Sequence, residues 1–108
     1  MQKFVLLYTG GGMPESEAEQ AKVMQDWADW YAGLGDAVAD PGNPIGPVSK
    51  KIMPNGKVSV SDGSGDPLVT GYTILSAESL DEAVEMAKKC PVLEGGAEIS
   101  VFESFDVM

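Results

Sequence analysis

The chain has 108 residues and a formal net charge of −10, with 17 acidic residues against seven lysines, no arginine and no histidine. That balance makes nucleic acid and anionic membrane surfaces poor partners, since both are bound by neutralising phosphates. Without histidine, Ser-His-Asp and Cys-His catalysis are impossible, and with Cys90 as the lone cysteine a zinc site has too few ligands.

An all-oxygen magnesium or calcium site stays open, and any acid–base chemistry must rest on Asp, Glu, Lys, Tyr or Cys. The length fits one domain over residues 1–108, and a single cysteine gives no intramolecular disulfide. No stretch is long and apolar enough for a bilayer. Met1-Gln2-Lys3-Phe4 leads straight into a strand without a signal-peptide layout, so a soluble, cytoplasmic protein is expected.

Phe4 to Tyr8 is a short apolar run and predicts a buried strand. Gly10-Gly11-Gly12 breaks it. Ser16 and Glu19 have capping-box spacing, and Val23, Met24, Trp27, Ala28, Trp30, Tyr31 and Leu34 fall on one half of the helix that follows. Gly33 or Gly35 can end it. Asp36 to Asp40 predicts a second strand, followed by a loop rich in proline and glycine. Ser49 to Pro54 and Lys57 to Ser61 flank Asn55-Gly56, a two-residue hairpin signal. After the glycine-rich segment from Asp62 to Pro67, Leu68 to Leu75 predicts a strand. Ser79 and Glu82 repeat the capping spacing, and Leu80, Ala83, Val84, Ala87 and Cys90 form a helical stripe that Pro91 stops. Val92 to Ala97 reads as loop and Glu98 to Phe105 as the last strand.

The order is β-α-β, an inserted hairpin, then β-α-β. It predicts an α+β, ferredoxin-like split β-α-β sandwich with helices on one face of an antiparallel sheet. Strand one is apolar on both faces (Phe4, Leu6, Tyr8 and Val5, Leu7), and Leu68 to Leu75 nearly so. Helices cover one face, and a homodimer packed sheet against sheet would cover the other.

Lys57 to Ser104 resembles the YCII-related domain family in its DGPF branch. The matching pieces are Asp62-Gly63 after a strand, Gly71-Tyr72 in the next, Ser79-Leu80-Asp81-Glu82-Ala83 opening a helix, Cys90-Pro91 closing it, and Gly95-Gly96 before Glu98-Ile99. Lys3 to Tyr8 is similar to that family's first strand. The resemblance implies a ferredoxin-like fold that dimerises as an α/β barrel. It also implies a transcription-factor partner, because some members accompany sigma factors. The branch's Asp-Gly-Pro-Phe is Asp62-Gly63-Ser64-Gly65 here, the His-Asp pair proposed for YCII-like enzymes has no histidine, and Cys90 stands where such members carry the Asp of an Asp-Pro step.

Asp62, at a strand end, is a candidate general base or ligand acceptor, against the plainer reading of turn chemistry. Tyr72 and Tyr8 are candidate ligand-orienting hydroxyls or core tyrosines. Trp27, Trp30 and Tyr31 read first as core or interface and second as a pocket wall, with Trp30, at the edge of the apolar arc, the most exposed. Lys50, Lys51 and Lys57 either protect an edge or hold an anion. Gly10 to Gly12 lacks the spacing of a phosphate loop, and Glu15, Glu17 and Glu19 oppose an anion there. Cys90 reads as a buried thiol. No cofactor is expected. The functional expectation is a homodimeric small-molecule-binding or regulatory module. The alternative is a cofactor-free enzyme on a small organic substrate, using Asp62 and Tyr72; a purely structural dimer is the third reading.

Overall fold

The computed structural model describes residues 1–12, 14–46, 48–61 and 69–105, Val60 and Ser61 by backbone alone. Its main sheet has four strands, β1 (Gln2–Thr9), β2 (Val38–Asp40), β5 (Val69–Ala77) and β6 (Glu98–Ser104), in the order β2-β5-β1-β6, and every neighbouring pair is antiparallel. Helix α1 (Glu17–Leu34) joins β1 to β2, and α2 (Leu80–Ala87) joins β5 to β6. Each β-α-β unit is therefore split by a strand of the other, which is the ferredoxin-like arrangement.

Both caps form as the spacing predicts. Ser16 Oγ accepts from the Glu19 amide at 3.2 Å and Ser79 Oγ from the Glu82 amide at 3.1 Å. Alternation along the strands turns Phe4, Leu6 and Tyr8 of β1 and Thr73, Leu75 and Ala77 of β5 to one face, where all six are buried. Trp30 of α1, Ala83 and Ala87 of α2, and Cys90 complete the core on that side.

The opposite face carries Val5, Leu7, Tyr72 and Ile74. The register sets Leu7 beside Tyr72, and Val5 between Ile74 and Phe102. Phe102 is 50 % exposed, and neither helix covers this face. The two-sided apolar character of the central strands is thus present in the fold.

Several expectations need correction. The second strand is shorter, because a 3-10 turn takes Gly35–Ala37. The segment after Pro91 is a 3-10 turn over Pro91–Gly95 rather than loop, and α2 stops at Ala87, before the proline. The apolar half of α1 is narrower than its wheel suggests, since Met24 is 61 % exposed and Ala28 is exposed too. The hairpin of β3 (Ser49–Ile52) and β4 (Val58–Ser61) closes on three residues, Pro54, Asn55 and Gly56. Met53 accepts from the Gly56 amide and donates to the Lys57 carbonyl, and Gly56 takes a φ of +85°, the left-handed residue such loops require. The expected start of β5 at Leu68, with the Asp62 to Pro67 segment, lies outside the described residues.

Candidate functional site

Where β1 runs out and β5 begins, the chain supplies backbone instead of bulk. After Thr9 comes Gly11 with a φ of +77°, and a Cβ there would stand 2.8 Å from the Cβ of Ala97. Gly42, at +75°, passes so close to Tyr72 that any side chain would overlap its carbonyl oxygen. The chain beyond β2 follows the start of β5, with Pro44 bridging to Gly71 and the Ile45 amide donating to the Thr70 carbonyl at 3.0 Å. Gly71 sits opposite Tyr8, and its missing side chain leaves room for the tyrosine ring.

These segments, the 3-10 turn at Pro91–Gly95 and the flank of α1 enclose a cleft of about 590 Å³. Its lining is mainly apolar: Tyr8, Val23, Trp27, Tyr31 and Val92 with the proline and glycine backbones, while Glu19, Lys22 and Glu94 contribute charge. Trp27 stands edge-on to Tyr8, ring centroids 5.8 Å apart at 66°, and lies 5.6 Å from Tyr31. A volume of that order with an aromatic lining suits a small organic molecule.

A hydrogen-bonded chain fixes the floor. Tyr8 Oη donates to Thr73 Oγ1 at 2.6 Å, and Thr73 Oγ1 donates to the Pro41 carbonyl at 3.1 Å. Tyr31 Oη donates to the same carbonyl at 3.2 Å, and the Cys90 thiol points at Tyr8 Oη from 3.7 Å. Every member is neutral when protonated. Burial pushes the Tyr8 phenol well above its ordinary range, with the Thr73 contact opposing it. Burial raises Tyr31 and Cys90 as well. The thiol is consequently held as an S–H, away from the thiolate that nucleophilic chemistry needs. At the rim, Lys22 Nζ pairs with Asp26 Oδ2 at 3.0 Å, which raises the lysine.

The structure sorts the sequence candidates. Tyr8 and Tyr72 both border the cleft, but strand alternation sends their side chains to opposite faces of the sheet. The Tyr8 hydroxyl is committed to Thr73. Asp62 lies outside the described residues. Lys50 is exposed on β3, in the separate two-stranded sheet, and is not among the residues lining the cleft.

Trp30 reverses its expected exposure. It is 7 % exposed, and its Nε1–H donates to the Met86 carbonyl at 3.1 Å, so the edge of the apolar arc is where α2 packs. Trp27 and Tyr31 do line the cleft while packing on the core. Thr73 and Pro41 were not legible as site residues. The one available signal was a hydroxyl at a buried parity of β5, two residues after Gly71. Among the described residues no group of three or more His, Cys, Asp or Glu side chains is placed to hold a metal ion.

No family model matches the chain, and no curated protein does. Among solved structures it is similar to the 5-chloro-2-hydroxyhydroquinone dehydrochlorinase TftG of Burkholderia phenoliruptrix AC1100, in complex with 2,5-dihydroxybenzoquinone. The TM-score is 0.53 at 17 % identity, over 95 % of this chain and 93 % of that one. This likeness supports the α+β, ferredoxin-like fold. No helix among the described residues is long and apolar enough to cross a membrane.

Proposed function

We propose that this chain is a homodimeric, YCII-related small-molecule-binding module of the cytoplasm, and that its ligand is a small, largely apolar organic molecule held in the cleft beside Trp27 and Tyr31. The observation that carries the reading is the 590 Å³ cleft itself, walled by aromatic rings and glycine backbone and lacking a positive cluster that would call for an anion. TftG, of similar fold, is in complex with 2,5-dihydroxybenzoquinone, which makes hydroxylated aromatic rings the first probes. The dimer reading is supported by the face of Val5, Leu7, Ile74 and Phe102 that neither helix covers, an apolar surface of the kind that pairs with its own copy.

The test is thermal unfolding of the full chain with a panel of hydroquinones and hydroxybenzoquinones, 2,5-dihydroxybenzoquinone included. Ligand at about 100 times its Kd adds about 2.7 kcal/mol, several degrees for a domain of this size. Val23→Trp, which fills the cleft from α1, should abolish the shift. No shift with any panel member, or a shift that survives Val23→Trp, rejects the assignment.

A second reading, a cofactor-free enzyme, is supported by one observation: the solved structure of similar fold is an enzyme, the dehydrochlorinase TftG. Tyr72 would orient a substrate and Asp62 would act as acid or base. If a panel member is turned over, Asp62→Asn and Tyr72→Phe should each lose turnover while remaining folded, and full turnover in both discards those roles.

A further inference from the structure

We propose that the β3–β4 hairpin is an arm that grips a second copy of this chain, packing its apolar side on the partner and setting Lys50 and Lys57 against the partner's carboxylates. The inference rests on the dimer reading above and adds a second, separate contact to it.

A two-stranded ribbon alone is marginal in water. Here the ribbon forms its own sheet, and among the described residues no strand pairing joins it to the main sheet. The register sets Ile52 opposite Val58 and Lys51 opposite Ser59. Facing residues share a side, so Ile52 and Val58 occupy one side together with Lys50, while Lys51 and Ser59 occupy the other. Ile52 is 72 % exposed, Val58 52 %, and Val48 at the base of the ribbon 85 %. The radius of gyration is 15.5 Å, against about 13 Å for a compact domain of this length, and the extents of 44 × 42 × 18 Å describe a flat, spread chain compatible with a projecting ribbon. An extended ribbon with an uncovered apolar side needs a cover to persist.

Charge selects the cover. Residues 49–58 hold Lys50, Lys51 and Lys57 and no acid, so the ribbon carries +3 and the rest of the chain −13. Two bodies of that charge repel each other, and an uncharged interface would have to overcome the repulsion. A basic arm on each copy converts part of it into attraction. Exposed carboxylates stand on the body: Glu17 and Glu19 at the start of α1, and Glu98 on the same sheet face as Phe102. A second copy supplies that surface in equal number with the arms, and a two-fold arrangement lets each copy give one arm and receive one.

The experiment is sedimentation equilibrium of the full chain at low and high salt. Three variants are compared: Ile52→Asp, the pair Lys50→Glu/Lys57→Glu, and Ile74→Asp on the uncovered sheet face. Circular dichroism and a melting curve confirm that each is folded. Ile52→Asp should raise the dimer Kd about tenfold or more, the scale of a buried apolar anchor. The charge-reversal pair should weaken the dimer at low salt about tenfold and lose most of that effect at high salt, as screened pairs do. In a direct assay, p-benzoylphenylalanine in place of Ile52 should photo-cross-link to a product of twice the chain mass. A dimer whose Kd moves less than about twofold in both hairpin variants, while Ile74→Asp dissociates it, overturns the arm and leaves the dimer standing. A monomeric wild type at micromolar concentration overturns both.

Discussion

Replacing Thr73 with valine tests whether the polar chain under the cleft holds the fold together. Thr73 is fully buried, and its hydroxyl both accepts from Tyr8 Oη at 2.6 Å and donates to the Pro41 carbonyl at 3.1 Å. Valine fills the same volume but leaves the Tyr8 O–H aimed at a methyl group, in a site only 4 % exposed. An orphaned buried donor costs about 1–3 kcal/mol. The Pro41 carbonyl is protected, because Tyr31 Oη still donates to it. Tyr8→Phe removes the same bond from the other end with a different remainder. Thr73 keeps its donation to Pro41, and the only orphan is the Cys90 S–H, a weak donor. We therefore expect Thr73→Val to cost about 2 kcal/mol and Tyr8→Phe about 1 kcal/mol. The double variant should cost less than the two singles together, since no orphaned phenol remains. Urea unfolding at fixed protein concentration reads this as a midpoint drop of about 1 M for Thr73→Val with an unchanged slope. A larger loss in Tyr8→Phe than in Thr73→Val, or strict additivity in the double variant, would refute the reasoning.

Three further outcomes follow from the same geometry. Tyr8 and Cys90 have folded pKa values raised by burial, so their contribution is fully present below their unfolded pKa values and is lost as pH rises. Stability should begin to fall near pH 9 with the thiol, then fall more steeply above about pH 10 with the phenol, by up to about 1.4 kcal/mol per pH unit for each group. Tyr8→Phe should flatten the upper limb, as read from urea midpoints across pH 7 to 11. Gly11→Ala places a Cβ 2.8 Å from that of Ala97 on a residue with a φ of +77°, and should lower stability by about 1–2 kcal/mol in the same assay. Trp30→Phe keeps most of the buried ring and removes one donor from the Met86 carbonyl, which still accepts from the Lys89 amide at 3.3 Å, so it should cost about 1 kcal/mol while leaving a cleft ligand's Kd unchanged. A shifted Kd would show that Trp30 belongs to the site after all.

The fold was legible because its signals are local. The two Ser-x-x-Glu pairs start two helices, and the strand periods mark the faces of β1 and β5, so residues a few positions apart decide most of the element order. The misplaced boundaries have local causes too, but ones that compete. Asn55-Gly56 can close a two-residue hairpin, and Pro54 tips the choice by taking the position before Asn55 in a three-residue loop. Trp30 shows the limit of the helical wheel. A wheel orders residues around an axis and cannot say that the edge of an apolar arc will meet α2 rather than water.

The cleft was not legible for a different reason, which also explains why it exists. Gly11, Gly42, Gly71 and Gly95 are far apart in the chain, and each taken alone reads as a turn or a weak strand position. The register brings Gly71 opposite Tyr8, the loop after β2 lays Gly42 across Tyr72, and the turn after α2 brings Gly95 and Ala97 against the residues that follow β1. Four segments thereby arrive at one end of the sheet with backbone and no side chains to fill it. Helix α1 spans 18 residues but fully buries only Trp30, so its earlier turns, with Val23 and Trp27, stand over that empty end. Closing the space would take only larger side chains, yet at Gly11 and Gly42 neighbouring backbone leaves no room for one. The same contacts that require glycine there keep the cleft open, so the volume is a property of the fold, and a ligand that fills it would replace the packing those residues cannot supply.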